Sequence, residues 1–194
     1  QAAAEPDNQG NLPLHLLSQT AGVEHFAELT ILKLLEANPE APKHVNHLGQ
    51  LPLNVAVDNS IDRDEEEEGE YWIGLFDALL NAYPEGATQG PQGRTPFAVG
   101  LKQVNGLSHR RMHEHDHVVY MMERLYHEHP EGALATDKRG RNALHTILWL
   151  IGDMGGTVSP GWTKLALDMI EHQPELAAKL DTGSCSPLCV FLLH

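Results

Sequence analysis

The stretch Gly49-Gln50-Leu51-Pro52-Leu53 decides the fold, because close copies of it recur along the chain. Proline suits the first position of a helix, where its missing N–H would have no intrahelical partner, and a glycine before it permits a tight turn. The pattern therefore predicts a turn that leads directly into a helix. Its other copies are Gly10–Leu14, Gly93–Phe97, Gly140–Leu144, in which alanine replaces the proline, and Ser184–Leu188, in which serine replaces the glycine.

A second marker, the dipeptide Pro-Glu, recurs at intervals of 45, 46 and 44 residues. Apolar residues before each Pro-Glu follow a helical period, which predicts a second helix that ends at the proline. Each unit is therefore a turn, a helix, a loop and a second helix, and it needs a neighbouring unit to bury its apolar faces. The predicted buried residues of the second helices are Ile31, Leu34, Leu35, Leu75, Phe76, Leu79, Leu80, Met121, Met122, Leu125, Tyr126, Leu165, Ala166, Met169 and Ile170.

The helix starts Leu12-Pro13-Leu14-His15 and Asn142-Ala143-Leu144-His145 resemble the Thr-Pro-Leu-His start of the ankyrin repeat. The resemblance covers nearly the whole chain and implies an all-α, ankyrin-like helical solenoid with β-turn fingers and about four and a half repeats. It also implies that His15 and His145 brace the turns of adjacent repeats. The implied repeats of this single array are residues 7–45, 46–89, 90–136, 137–180 and a partial 181–194.

The resemblance to ankyrin departs from the usual pattern in three ways. The period is near 45 residues rather than about 33, each second helix ends on Pro-Glu, and each loop between the helices carries an insertion. Units of this length resemble those common in diatoms and related algae. Helix pairs of the HEAT type, with a period of about 40–47 residues, remain the alternative. The Gly-x-x-Pro-Leu-His start favours ankyrin.

Composition excludes several classes of protein. The net charge of −14, from 13 basic and 27 acidic residues, argues against a nucleic-acid partner. No apolar run approaches eighteen residues, so we expect no membrane insertion. Cys185 and Cys189 cannot form a disulfide scaffold, which indicates an intracellular, reducing compartment. The organelle stays open, because removal of a segment before Gln1 would hide any targeting signal.

Charge is distributed unevenly over the fingers that the resemblance implies, at about residues 41–50, 86–95, 133–142 and 177–186. These segments hold six cationic side chains against Asp137 and Asp181, a net charge of +4 within an acidic chain. We therefore expect a scaffold, adaptor or accessory subunit without an enzyme active site, which binds another protein, with an acidic segment, through the fingers and the concave first-helix face. A chance excess of charge on polar tips is the alternative. The predicted partner-binding residues are Lys43, Arg94, Lys138, Arg139, Arg141 and Lys179.

The segment His113–His117 matches the His-Glu-x-x-His pattern of zinc proteases. That chemistry needs two histidines on one helix face and a glutamate beside the metal-bound water. Glu123 lies where some zinc proteases place a third ligand, but Tyr120 replaces the glycine that reverses their chain. A solvated polar loop and helix start without a cofactor is the leading interpretation, and a metal-binding protein or metal-dependent enzyme is the alternative function. The ligands in that alternative are His113, His115 and His117.

Two insertions, at residues 60–70 and 105–116, separate the helices of the second and third units. Asp62–Glu70 contains seven acids in nine residues, which predicts an exposed, mobile loop with mutually repelling charges. A contact for a basic partner, or a weak calcium site, is the alternative. We predict Cys185 and Cys189 to be buried small residues rather than a redox pair.

Overall fold

The computed structural model describes residues 2–20, 27–60, 69–104, 116–153 and 159–192. Every regular element in those ranges is helical, which confirms the all-α class. No helix in them has the length and hydropathy needed to cross a membrane. Both predicted insertions lie largely outside the described residues. The α-helices are α1 (Pro13–Gln19), α2 (Ala27–Ala37), α3 (Pro52–Ser60), α4 (Gly69–Ala82), α5 (Pro96–Val104), α6 (Asp116–Glu128), α7 (Ala143–Asp153), α8 (Pro160–His172), α9 (Glu175–Ala178) and α10 (Pro187–Leu192).

The first helix of each unit, α1, α3, α5, α7 or α10, begins at the residue that the turn pattern predicts. The starts of α1 and α3 follow leucines, which have no capping oxygen or nitrogen. A side chain in the first turn of the helix supplies the missing acceptor instead. Nδ1 of His15 accepts the N–H of Leu12 at 3.2 Å, and Oδ1 of Asn54 accepts the N–H of Leu51 at 2.8 Å. Each contact satisfies a backbone donor that the helix leaves without a partner.

The second helices, α2, α4, α6 and α8, end two residues before the proline of each Pro-Glu, as predicted. The residue before a proline is pushed out of the helical region by the proline ring. Tyr83, His129 and Gln173 show the effect, with φ between −150° and −137° and ψ between 70° and 80°. Short 3-10 helices follow at Ala41–Lys43, Pro84–Thr88 and Pro130–Leu134.

Most of the predicted second-helix stripe lies in the core, at 3% exposure or less. Leu34 and Leu35 are only half-buried. Ile170 was predicted to be buried, and that prediction is wrong, because its side chain is 38% exposed. It follows the buried Met169, so the apolar face of α8 is narrower than its sequence indicates.

The chain divides into two compact units, residues 1–100 and 101–194, and α5 spans the division. Within the first unit, α1 packs on α3 and α2 packs on α4. Within the second unit, α6 packs on α8 and α7 packs on α10. In both units, therefore, corresponding helices of successive sequence repeats are neighbours.

Candidate functional site

Four five-residue segments before the first helices share one hydrogen-bonded form, which we call the Asx turn. They are residues 7–11, 46–50, 137–141 and 181–185. Each opens on Asp or Asn, whose Oδ1 accepts the N–H groups two and four residues later. The fourth residue has a positive φ, for example 74° at Gly140 and 62° at Ser184. Residues 90–94 open on Gly90 and have no such side chain.

In two places, a side chain from the first helix of one repeat contacts the last residue of the Asx turn of the next repeat. Nδ1 of His15 accepts the N–H of Leu12 at the start of α1, and Nε2 of the same ring contacts the carbonyl oxygen of Gln50 at 3.1 Å. His145 repeats this with the carbonyl of Cys185 at 3.2 Å. Asn54, at the matching position of α3, instead donates to the carbonyl of Gln89, which lies just before residues 90–94, at 2.9 Å. The predicted bracing role of both histidines thus agrees with their contacts.

Neighbouring Asx turns also join through their backbones. The N–H of His47 donates to the carbonyl of Gln9 at 2.9 Å, and the N–H of Thr182 donates to the carbonyl of Arg139 at 2.8 Å. Ala98 occupies the position in the third sequence repeat that corresponds to His15. Its methyl group cannot make the hydrogen bond to a neighbouring carbonyl that the histidine makes. Its helix, α5, is also the helix that spans the division of the chain.

The Asx turn at 137–141 carries three of the six predicted partner-binding residues. Asp137 is occupied by the turn, because its Oδ1 accepts the N–H groups of Arg139 and Arg141 at 2.7 and 3.0 Å. The half-buried Arg141 pairs with Asp181, with Nε and Oδ2 3.4 Å apart. Lys138 and the side chain of Arg139 are exposed. Arg141 therefore makes a contact within the fold, whereas the side chains of Lys138 and Arg139 face solvent.

The other predicted cations differ in their surroundings. Lys43 forms an exposed ion pair with Glu40, with Nζ and Oε1 2.9 Å apart, and this bond raises the pKa of Lys43. The guanidinium of Arg94 donates to Gln92 at 3.2 Å. Lys179 is exposed and lies two residues before the Asx turn at 181–185. Within the compact unit 101–194, the predicted cations that are exposed at or near the turns are therefore Lys138, Arg139 and Lys179.

The His-Glu-x-x-His pattern is only partly within the described residues. His113 and His115 lie outside them, so the metal interpretation of this segment stays a prediction. His117 belongs to the first turn of α6 and is buried, with 6% exposure. It therefore belongs to the helix start that the leading interpretation included, but it is buried there rather than solvated.

Sequence reasoning missed a second group of metal-ligating side chains, which we call the α6–α8 cluster. It consists of Glu123 and His127 on α6 and Asp168 on α8, and one ligand atom from each lies within 4.8 Å of the others. The four-residue spacing of Glu123 and His127 in the sequence places both residues on one helix face, so that pair could have been predicted. Asp168 could not, because the packing of α6 on α8 brings it there.

The two cysteines lie at the start of α10 as half-buried free thiols, so their predicted burial is only partial. A hydrogen bond with the Cys189 side chain raises the pKa of Cys185. Its thiolate is therefore less populated near neutral pH than that of an ordinary cysteine. The surroundings of Cys185 do not activate it as a nucleophile.

Comparison of the chain with protein-family models and with curated proteins finds no match for it. The resemblance to ankyrin accordingly depends on the turn pattern and the helix starts. The most distinctive repeated geometry in the described residues is the Asx turn with its bracing side chain, and the exposed cations of residues 137–141 lie on that geometry.

Proposed function

We propose that the chain is an ankyrin-type protein-interaction module, in which an acidic segment of a partner protein binds the Asx turns. In this proposal the helix pairs form a solenoid, and the turns are its fingers. The function is binding, as a scaffold, adaptor or accessory subunit, and the lack of an enzyme active site remains an expectation from the sequence.

The observation that carries the proposal is that two charged side chains of residues 137–141 make contacts within the fold, while two others are exposed. The carboxylate of Asp137 accepts two backbone N–H groups, and Arg141 pairs with Asp181. Lys138 and Arg139 are exposed and form no ion pair with any described residue. Because the turn keeps its shape without them, their side chains are available to a partner.

A rigid turn is a suitable platform for such contacts. Arg139 has its N–H bonded to Asp137 and its carbonyl bonded to Thr182, so its backbone is fixed at both ends. Fixing the backbone beforehand reduces the entropy lost when a partner binds. Exposed cations on an acidic chain attract an acidic segment to the turn, while the rest of the surface repels it.

The test is the double reversal Lys138→Glu/Arg139→Glu. Both backbone hydrogen bonds of Arg139 survive, and Arg141 is left in place because reversing it would put a carboxylate beside Asp181. We expect the double variant to capture its acidic partner at least about tenfold less well in quantitative affinity purification, since two rim charges become repulsive. With the purified partner, the variant should associate more slowly and with weaker salt dependence.

The matched control is Lys33→Glu/Lys102→Glu, which changes net charge equally at exposed positions of α2 and α5. It should retain the partner, with only the modest loss that a more negative chain imposes. Equal loss in both variants would show that net charge alone matters. Unchanged capture by the Lys138/Arg139 variant would place the binding surface elsewhere.

A further inference from the structure

We propose that the α6–α8 cluster of Glu123, His127 and Asp168 is a binding site for a divalent transition-metal ion such as Zn²⁺. This site is separate from residues 113–117 and independent of the proposed partner binding. It would be an open site, because three protein ligands leave coordination positions for water.

The three donor atoms converge on one point between α6 and α8. Nε2 of His127 lies 4.0 Å from Oε1 of Glu123 and 3.9 Å from Oδ2 of Asp168. Ligand bonds of about 2.0–2.2 Å to zinc place neighbouring donors roughly 3.3 Å apart. Side-chain movements of less than about 1 Å therefore close the site around an ion.

Buried packing fixes the helices that carry the ligands. Leu125 and Tyr126, between Glu123 and His127, are almost fully buried, as is Met169, next to Asp168. The ligands themselves face solvent, with 51% of the His127 side chain, 21% of that of Glu123 and 25% of that of Asp168 exposed. An ion can therefore reach donors whose backbones are held in place.

The chemistry of the donors selects the class of ion. Two carboxylates and one neutral imidazole carry a charge of about −2, which a divalent cation neutralises. Imidazole favours zinc and its transition-metal neighbours over Ca²⁺ and Mg²⁺, which prefer oxygen ligands alone.

Lys164 is the residue that competes with an ion. Its ammonium group lies against Oε1 of Glu123 and donates a hydrogen bond to it. The cluster thus attracts a cation from within the chain, and a bound metal ion must displace that cation from Glu123. The competition gives the test a variant that should bind more tightly than the wild type.

The experiment is a calorimetric titration of the full chain with ZnCl₂, followed by absorption spectroscopy with Co²⁺ as a coordination probe. We expect one zinc ion to bind at this site, and His127→Ala or Asp168→Asn to weaken it by about tenfold or more. Lys164→Met should tighten binding by up to about fivefold, the range of an exposed ion pair. His129→Ala, on the same stretch of chain but outside the cluster, is the matched control and should bind like the wild type.

Three outcomes would overturn the proposal. One is the absence of zinc binding by the wild type. Another is zinc binding that His127→Ala and Asp168→Asn both leave unchanged. The last is zinc lost on His113→Ala/His115→Ala but retained by the cluster variants, which would move the site to the histidine-rich segment. All of the substituted cluster side chains are at least partly exposed, and circular dichroism of each variant checks that the helices remain.

Discussion

At the scale of single residues, the buried His15 combines two functions in one ring. Its Nδ1 accepts the N–H of Leu12, so Nε2 carries the proton and donates to the carbonyl of Gln50. Protonation of Nδ1 would convert this acceptor into a second donor, which would face the N–H of Leu12 and lose the hydrogen bond. Burial lowers the pKa of His15, and the neighbouring ring of His44 lowers it further. Asn54, at the same position of α3, accepts the N–H of Leu51 and donates to the carbonyl of Gln89 through an amide that does not titrate.

We therefore expect His15→Asn to remove part of the acid sensitivity of the fold. A histidine with a pKa of about 6.5 in the unfolded chain and a lower value in the folded chain binds its proton first in the unfolded state. The wild type should consequently lose stability as pH falls below about 6.5, until the folded pKa is reached. Urea unfolding at about pH 7.5 and 5.5 should show a smaller loss for His15→Asn.

His15→Ala provides the contrast at the same position. It leaves the buried N–H of Leu12 and the carbonyl of Gln50 without their side-chain partner, at a cost of about 1–3 kcal/mol at both pH values. If His15→Asn keeps the full acid sensitivity of the wild type, another group is responsible, and the pKa of His15 does not differ between the folded and unfolded chains.

At the scale of the element, the Asx turns place one residue in the left-handed region. Four of the five turn segments use glycine there, including Gly93 at 73°, and the last uses Ser184 at 62°. A side chain in this region costs about 1 kcal/mol relative to glycine. The serine is thus the strained version of a position that the sequence pattern had already equated with the glycines.

Exchange of these residues should therefore change stability in opposite directions. Ser184→Gly should raise the free energy of unfolding of its unit by about 0.5–1 kcal/mol. Gly93→Ser should lower it by a similar amount through backbone strain alone, since a Cβ at Gly93 would meet no atom within 4 Å. Denaturant unfolding measures both. Destabilisation by Ser184→Gly would show that the serine side chain makes a contact worth more than the strain.

The sequence predicted the elements well because their boundaries depend on local chemistry. Pro52 restricts its own backbone, and Pro84 restricts the residue before it, whatever the tertiary structure. The start of α3 and the end of α4 therefore follow from the sequence pattern alone. The α6–α8 cluster could not be found this way, because Asp168 reaches Glu123 only through helix packing. Likewise, Arg141 and Lys138 look equivalent in sequence, and only the contact with Asp181 separates them.

At the scale of the whole molecule, repulsion among the negative charges of this acidic chain destabilises the folded state. The chain carries a net charge of −14, while several described ion pairs are exposed, such as Lys43 with Glu40. Exposed pairs contribute about 0–1 kcal/mol each, and salt weakens them. Repulsion among the excess carboxylates is weakened by salt as well, so the response of the fold to ionic strength tells which of the two is larger.

We expect added NaCl to raise the Tm, because the net charge of −14 makes repulsion between distant carboxylates the larger electrostatic term. The screening length falls from about 30 Å at 0.01 M salt to about 8 Å at 0.15 M, which removes most repulsion between distant surface charges and leaves contacting pairs less affected. Thermal melts followed by circular dichroism over that range, near pH 7.5, measure the effect. The variant Lys33→Glu/Lys102→Glu, with its net charge changed from −14 to −18, should melt lower at low salt and gain more from added salt. A Tm that falls with salt in both proteins would mean that paired charges, rather than the net charge, dominate the electrostatic energy of the fold.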